Sequence, residues 1–181
     1  MGLDQYLVGK IYIGANYEHN NAKGEIKISI NGKPIDIPLN KITYIELNMG
    51  YWRKANSIHA FFVNEVQEGE DDCKQYYVGW ETLEKLRDIC NRILNESIVE
   101  EGFIKNGESL VNGEWEPNLE MGKYIVNTEL AEKLLPTQSG FFFGSTDYDE
   151  YYIQDLKDTI EIIKECEKYK DNYEFYYESS W

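Results

Sequence analysis

The apolar residues of this chain change their period part-way along, and that change limits the fold more than any other feature. From residue 25 they fall at every second position. In EIKISI, Ile26, Ile28 and Ile30 point one way and Glu25, Lys27 and Ser29 the other, as on a strand with one covered face. Asn31-Gly32 follows, and then Ile35, Ile37 and Leu39 alternate again. Asn-Gly between two alternating runs predicts a hairpin, because both residues tolerate the positive φ of a tight turn. Pro34 and Pro38 cannot donate to a ladder, which puts the second arm at a sheet edge. The spacing then becomes three and four: Trp52, Ala55, Ile58, His59, Phe62, Val63 and Val66 predict one face of a helix that begins at Trp52.

The rest of the chain follows the same two periods. QYLVGKIYI (5–13), KITYIEL (41–47), QYYV (75–78) and the closing YEFYY read as strands. Residues 80–94 predict a second helix with Leu83, Leu86, Cys90, Ile93 and Leu94 inward. A short helix follows Asn127 or Thr128 and stops at Pro136. Ser145 or Thr146 is the expected cap of a last helix, whose buried stripe is Tyr152, Leu156, Thr159, Ile160 and Ile163. Residues 97–126 are the least regular part and contain two further Asn-Gly pairs, which suggests a hairpin excursion. The fold class is therefore α+β: one domain over 1–181, an antiparallel sheet with three to four helices packed against it.

Charge narrows the functions. The chain carries 33 acidic and 18 basic residues, a net charge of −15. Direct nucleic-acid binding needs a basic face, so it is not expected. The three cysteines are scattered, without a CxxC pair, which argues against a disulfide framework or a zinc ribbon and for a reducing cytoplasm. MGLDQYLVGKIYIG lacks the basic region and apolar run of a secretory signal, and no stretch has the length of a membrane span. GxSxG, HExxH, GxGxxG and GxxxxGK[ST] are all missing. No catalytic residue, metal site or cofactor is assigned, and the reading leans away from an enzyme.

Two segments stand out. In YWRKANSIHAFF, Arg53 and Lys54 would sit at a helix start, where the helix dipole already presents positive charge. Cations and free backbone N–H groups together would welcome an anion such as phosphate. In PTQSGFFFGSTDY, three phenylalanines lie between Gly140 and Gly144 with polar uncharged groups on either side. As a short strand it would send Phe141 and Phe143 to one face and Phe142 to the other, leaving one face for stacking. EDDC (70–73) offers adjacent carboxylates; a solvated acidic turn is favoured over a magnesium site.

MGLDQYL, YWRKANSIHAFFV, DDCKQYYV and LLPTQSGFFFGSTDYDEYYIQDLKDTI together resemble a family of small proteins found in phages and prophages, whose members begin MGLDMYL and carry WRKAN-IH and LPTQSGFFFGST segments. Gln5 stands here where the family has Met. The resemblance covers most of the chain and is weaker over 15–40 and 97–126. It implies an accessory protein acting in the host cytoplasm, in a setting where small phage proteins sequester nucleotide signals of antiviral defence. The expectation is a non-enzymatic binder of a small phosphorylated or nucleotide-like ligand. Trp52 and Phe142 would stack a ring, Arg53, Lys54 and His59 would hold phosphate, and Gln138, Ser139 and Ser145 would bond polar edges. Two alternatives stand beside it: an acidic interaction protein or nucleic-acid mimic that inhibits a host protein, and a small hydrolase or transferase using carboxylates with His59.

Overall fold

The computed structural model describes residues 2–14, 27–37 and 39–181. The expectations placed on Glu25, Ile26 and Pro38 lie outside them. In chain order the elements are β1 (Asp4–Tyr12), β2 (Ile28–Ile30), β3 (Lys33–Ile35), a 3-10 turn (Leu39–Lys41), β4 (Tyr44–Arg53) and α1 (Asn56–Val66). Then come β5 (Tyr76–Val78), α2 (Trp80–Glu96), β6 (Val99–Val111), β7 (Glu114–Ile125), α3 (Glu129–Leu134), α4 (Glu150–Cys166) and β8 (Glu174–Ser180). The fold is α+β. The main sheet has the order β4-β1-β8-β5 and is antiparallel throughout.

Alternation decides which way the sheet faces. Leu7, Trp52, Val78, Phe175 and Tyr177 are buried beneath helical residues Ile58, Phe62, Leu86, Leu156 and Ile163 in one core. Tyr177 stacks on Phe62 with ring centroids 4.1 Å apart. On α2, Leu83, Leu86, Cys90 and Ile93 have no exposed surface; each such apolar side chain contributes roughly 1.5–3 kcal/mol relative to exposure. Burial also pushes the thiols of Cys90 and Cys166 up to about 12, so both are inert packing groups.

Three sequence expectations need correction. First, the segment from Trp52 is not yet helical. β4 runs on to Arg53, with Trp52 opposite Gln5 and Arg53 opposite Asp4, and α1 starts at Asn56. The spacing suggested a helix because the inner face of the strand runs directly into the inner face of α1: Trp52, Ala55 and Ile58 are all buried. Second, 141–143 is a turn and not a strand. Phe143 is 8% exposed and Phe141 94%, so the two do not share a face. Third, Asp149 caps α4, its Oδ1 accepting from Tyr151 N at 2.9 Å and Tyr152 N at 3.3 Å. Ser145 instead accepts from Asp147 N at 3.1 Å within the preceding turn.

The two hairpins turn at their Asn-Gly pairs, but Ile28, Ile30 and Ile35 of the first are exposed, so the covered face that their alternation predicts is not seen among the described residues. Asn31 and Gly32 both have positive φ between β2 and β3, as do Asn112 and Gly113 between β6 and β7. Asn106-Gly107 falls at a bulge, where the register shifts between Lys105 and Glu108. On one face of this ribbon Phe103, Leu110, Trp115, Leu119 and Met121 are between 60% and 72% exposed.

Candidate functional site

The loop 137–147 is held by one buried side chain. Asn56, the first residue of α1, is 4% exposed. Its Nδ2 donates to Phe143 O at 3.1 Å and Ser145 O at 2.7 Å, and its Oδ1 accepts from Gln138 N at 2.9 Å. An amide is suited to this, because it offers donors and an acceptor in one plane. Each bond contributes about 1 kcal/mol net, and an unmade partner in this buried place costs more. Phe142 O accepts from Leu3 N at 3.2 Å, and Thr137 Oγ1 donates to Thr146 O at 2.8 Å. The loop is thereby fixed against the residue that precedes β1 and against α1.

Lys54, between β4 and α1, adopts φ 61°, a region that residues with a Cβ seldom occupy. Its N–H donates to Leu3 O at 2.7 Å and its carbonyl accepts from Asn56 N at 2.8 Å. Gly144, at φ 88°, lies alongside: a Cβ there would sit 3.2 Å from Lys54 Cβ. Backbone strain of this kind persists where surrounding contacts over-determine it, and it gathers at functional sites.

These segments frame a cleft of about 930 Å³. Arg53, Lys54, Asn56 and Ser57 form one wall. Phe141, Ser145 and Thr146 form the next, and the bulge of β6, Lys105 to Glu108, closes a third. Helix α1 begins with no side-chain cap and no acidic residue in its first turn, so its early N–H groups favour an anion. Arg53 is 4.0 Å from Asp4, with its side chain 65% exposed. Lys54 makes no ion pair among the described residues. Lys105 pairs with Glu108 at 2.6 Å.

The lining from the start of α4 and the turn before it is acidic: Asp147, Asp149 and Asp155, with Tyr151 and Tyr152. Asp149 is 3% exposed; Oδ1 is the α4 cap, while Oδ2 has no hydrogen-bond partner among the described residues. Burial raises its pKa above the usual carboxylate range, against the opposing pull of its backbone donors. Asp155, one and a half turns along α4, is pushed up to about 8, first by burial and then by the charges of Asp158 and Asp149. At neutral pH its carboxyl is mostly protonated and can donate.

Of the residues picked out from sequence, Arg53, Lys54 and Ser145 line this cleft. Trp52 is 3% exposed and its Nε1 donates to Thr159 Oγ1 at 2.9 Å; it belongs to the core and offers no stacking surface. His59 is fully buried, with Nδ1 2.8 Å from Tyr177 Oη and Nε2 2.9 Å from Asp71 Oδ2. Tyr177 gives its proton to Gln5 Oε1, and Gln5 Nε2 donates to Ala55 O. Both ring nitrogens thus have a partner inside the fold, so His59 is committed at both. Gln138 and Ser139 are exposed and Phe142 is half-buried; none of the three lines the cleft. The acidic run is likewise engaged: Asp72 pairs with Lys74 at 2.6 Å and accepts from Tyr76 at 3.0 Å. Asn56, Lys105 and Asp155 escaped the sequence reading. Asn56 alone carried a signal, as a small amide beginning an otherwise apolar helical stretch.

Family models, curated proteins and solved structures offer no match to this chain.

Proposed function

We propose that the cleft binds a small phosphorylated, nucleotide-like ligand and holds it without turnover. One observation carries this reading. In a chain of net charge −15, Arg53, Lys54 and Lys105 meet the uncapped start of α1 in a single cleft with Phe141, Ser145 and Thr146. Phosphate takes the cationic wall, where charge-assisted bonds are strongest. The ring takes Phe141 and Tyr151, which are exposed and adjoin the cleft. Donors on the ring face Asp149, and acceptors face the protonated Asp155. This drops Trp52, His59, Gln138, Ser139 and Phe142 from the expected ligand set and keeps Arg53, Lys54 and Ser145. The resemblance to phage proteins supplies a role: retention of a phosphorylated defence signal in the host cytoplasm.

Thermal shift with cyclic and linear nucleotides tests the proposal. A ligand at a hundred times its Kd adds about 2.7 kcal/mol, which for a chain of this size raises Tm by roughly 5–10 °C. Arg53→Ala with Lys54→Ala should remove most of that shift, and the ligand should be recovered chemically unchanged. The proposal fails if no nucleotide at millimolar concentration moves Tm, or if the double variant responds as the parent does. Conversion of the ligand would favour the hydrolase or transferase reading.

A further inference from the structure

The sheet face turned away from the helices carries its side chains in rows. Strand pairing sets Tyr51, Tyr6 and Glu178 side by side across β4, β1 and β8. Val8, Tyr176 and Tyr77 form the next row, and Glu46, Lys10 and Glu174 the one after. The rings of Tyr6 and Tyr51 are 5.3 Å apart, and those of Tyr77 and Tyr176 meet edge-on at 5.8 Å. Tyr51 is 46% and Tyr77 60% exposed. The surface thus carries tyrosine rings and carboxylates, with Val8 buried among them, Lys10 between two carboxylates and Arg53 opposite Asp4 in the row beyond Tyr51.

Lys10 shows how this surface receives a cation. Its Nζ lies 3.0 Å from Glu46 Oε2 and 5.1 Å from the centroid of the Tyr176 ring. Ring and carboxylate hold the ammonium together. Glu178 stands beside Tyr6 and Tyr51 in a comparable setting, yet its partner is the uncharged Gln75 amide at 3.0 Å. Among the described residues it has no cationic partner.

We infer that this face docks a basic segment of a partner protein, seating arginine or lysine side chains between Glu178, Glu174 and the tyrosines. Charge selects the occupant. A nucleic-acid strand could stack on the rings, but its phosphates would meet carboxylates. A second copy would bring another −15 and the same acidic surface. A basic segment gains from the overall field on approach and from both ring and carboxylate on contact. Tyrosines suit such a face because they offer large contact area with few torsions to freeze. The inference does not depend on what fills the cleft.

The test uses the full chain and a short peptide alternating arginine and glycine, titrated by calorimetry at low salt. Glu174→Gln with Glu178→Gln should weaken binding about tenfold, and Tyr51→Leu about threefold. Glu161→Gln with Glu165→Gln removes the same charge from the exposed side of α4 and should change binding less than about twofold. All variants are first checked for an unchanged melting curve. Equal losses in the two charge-matched pairs would reduce the effect to a diffuse field and overturn the proposal. So would equal binding of an aspartate-glycine peptide, or a dimer in sedimentation that the sheet-face variants dissociate.

Discussion

Asp155 sits on a helix, half-buried, with a carboxyl that burial lifts from 3.8 to about 8. Between those values the folded protein keeps a proton that the unfolded chain has released. Stability therefore falls as pH rises through this window and levels off above the folded value. Asp149 is raised as well, and its contribution has the same sign. A shift of this size is a penalty of several kcal/mol on the ionised folded state. Asp155→Asn keeps the shape without the charge. It should leave stability unchanged near about pH 4 and raise it near about pH 8 by that amount, read from urea unfolding at both values; a variant that tracks the parent across the window would refute the assignment. No motif marks this residue in the sequence. Asp is common on helices in so acidic a chain, and burial depends on what the rest of the fold lays against it. Asn56 differs, since a polar residue on a buried helical face asks for partners that must come from elsewhere.

At the scale of elements, close approach decides how α4 sits on the sheet. Gly50 lies in β4 under α4, and a Cβ there would be 2.5 Å from Ile162 Cγ2 and 3.0 Å from Cδ1. Ile162 is β-branched and cannot swing aside freely. Gly50→Ala should therefore cost about 1–3 kcal/mol, measured as a lower urea midpoint with unchanged slope. Parental stability in that variant would show that the helix is free to lift. Most elements were legible because their signals are local: alternation around Asn31-Gly32, the three-four spacing from Leu83 to Ile93, Asn112-Gly113 in the ribbon. The failures came where two elements meet. Trp52 and Ala55 share a buried side although one is strand and the other precedes the helix, so spacing alone extended α1 too far. At 141–143 the apolar run looked like a strand. Asn56 and Leu3 take up its carbonyls instead, and Phe143 alone turns inward.

For the molecule as a whole, like-charge repulsion is the dominant long-range force. Thirty-three acidic residues face eighteen basic ones, and many ion pairs are exposed pairs along helices, such as Arg92–Glu96 and Lys164–Glu161. Each of these contributes only a few tenths of a kcal/mol, so screening loses less from them than it gains from reduced repulsion. Raising sodium chloride from about 0.02 to about 0.3 M should stabilise the fold by about 1 kcal/mol, or ~2–4 °C in Tm. A falling Tm would mean that the ion pairs outweigh the net charge. Among the described residues no helix is long and apolar enough to cross a membrane. The sequence by itself determined the α+β class, the hairpins, the buried cysteines and the acidic character, because periodicity, turn chemistry and charge are properties of neighbouring residues or of simple sums. It also singled out WRKAN and the triple phenylalanine as segments out of keeping with their surroundings. Only the tertiary structure decided that Arg53 and Lys54 open onto a cleft while Trp52 and His59 are committed to the core. Adjacent residues on a strand point to opposite faces, and which face is covered depends on helices that arrive from far along the chain, as α4 does over Trp52.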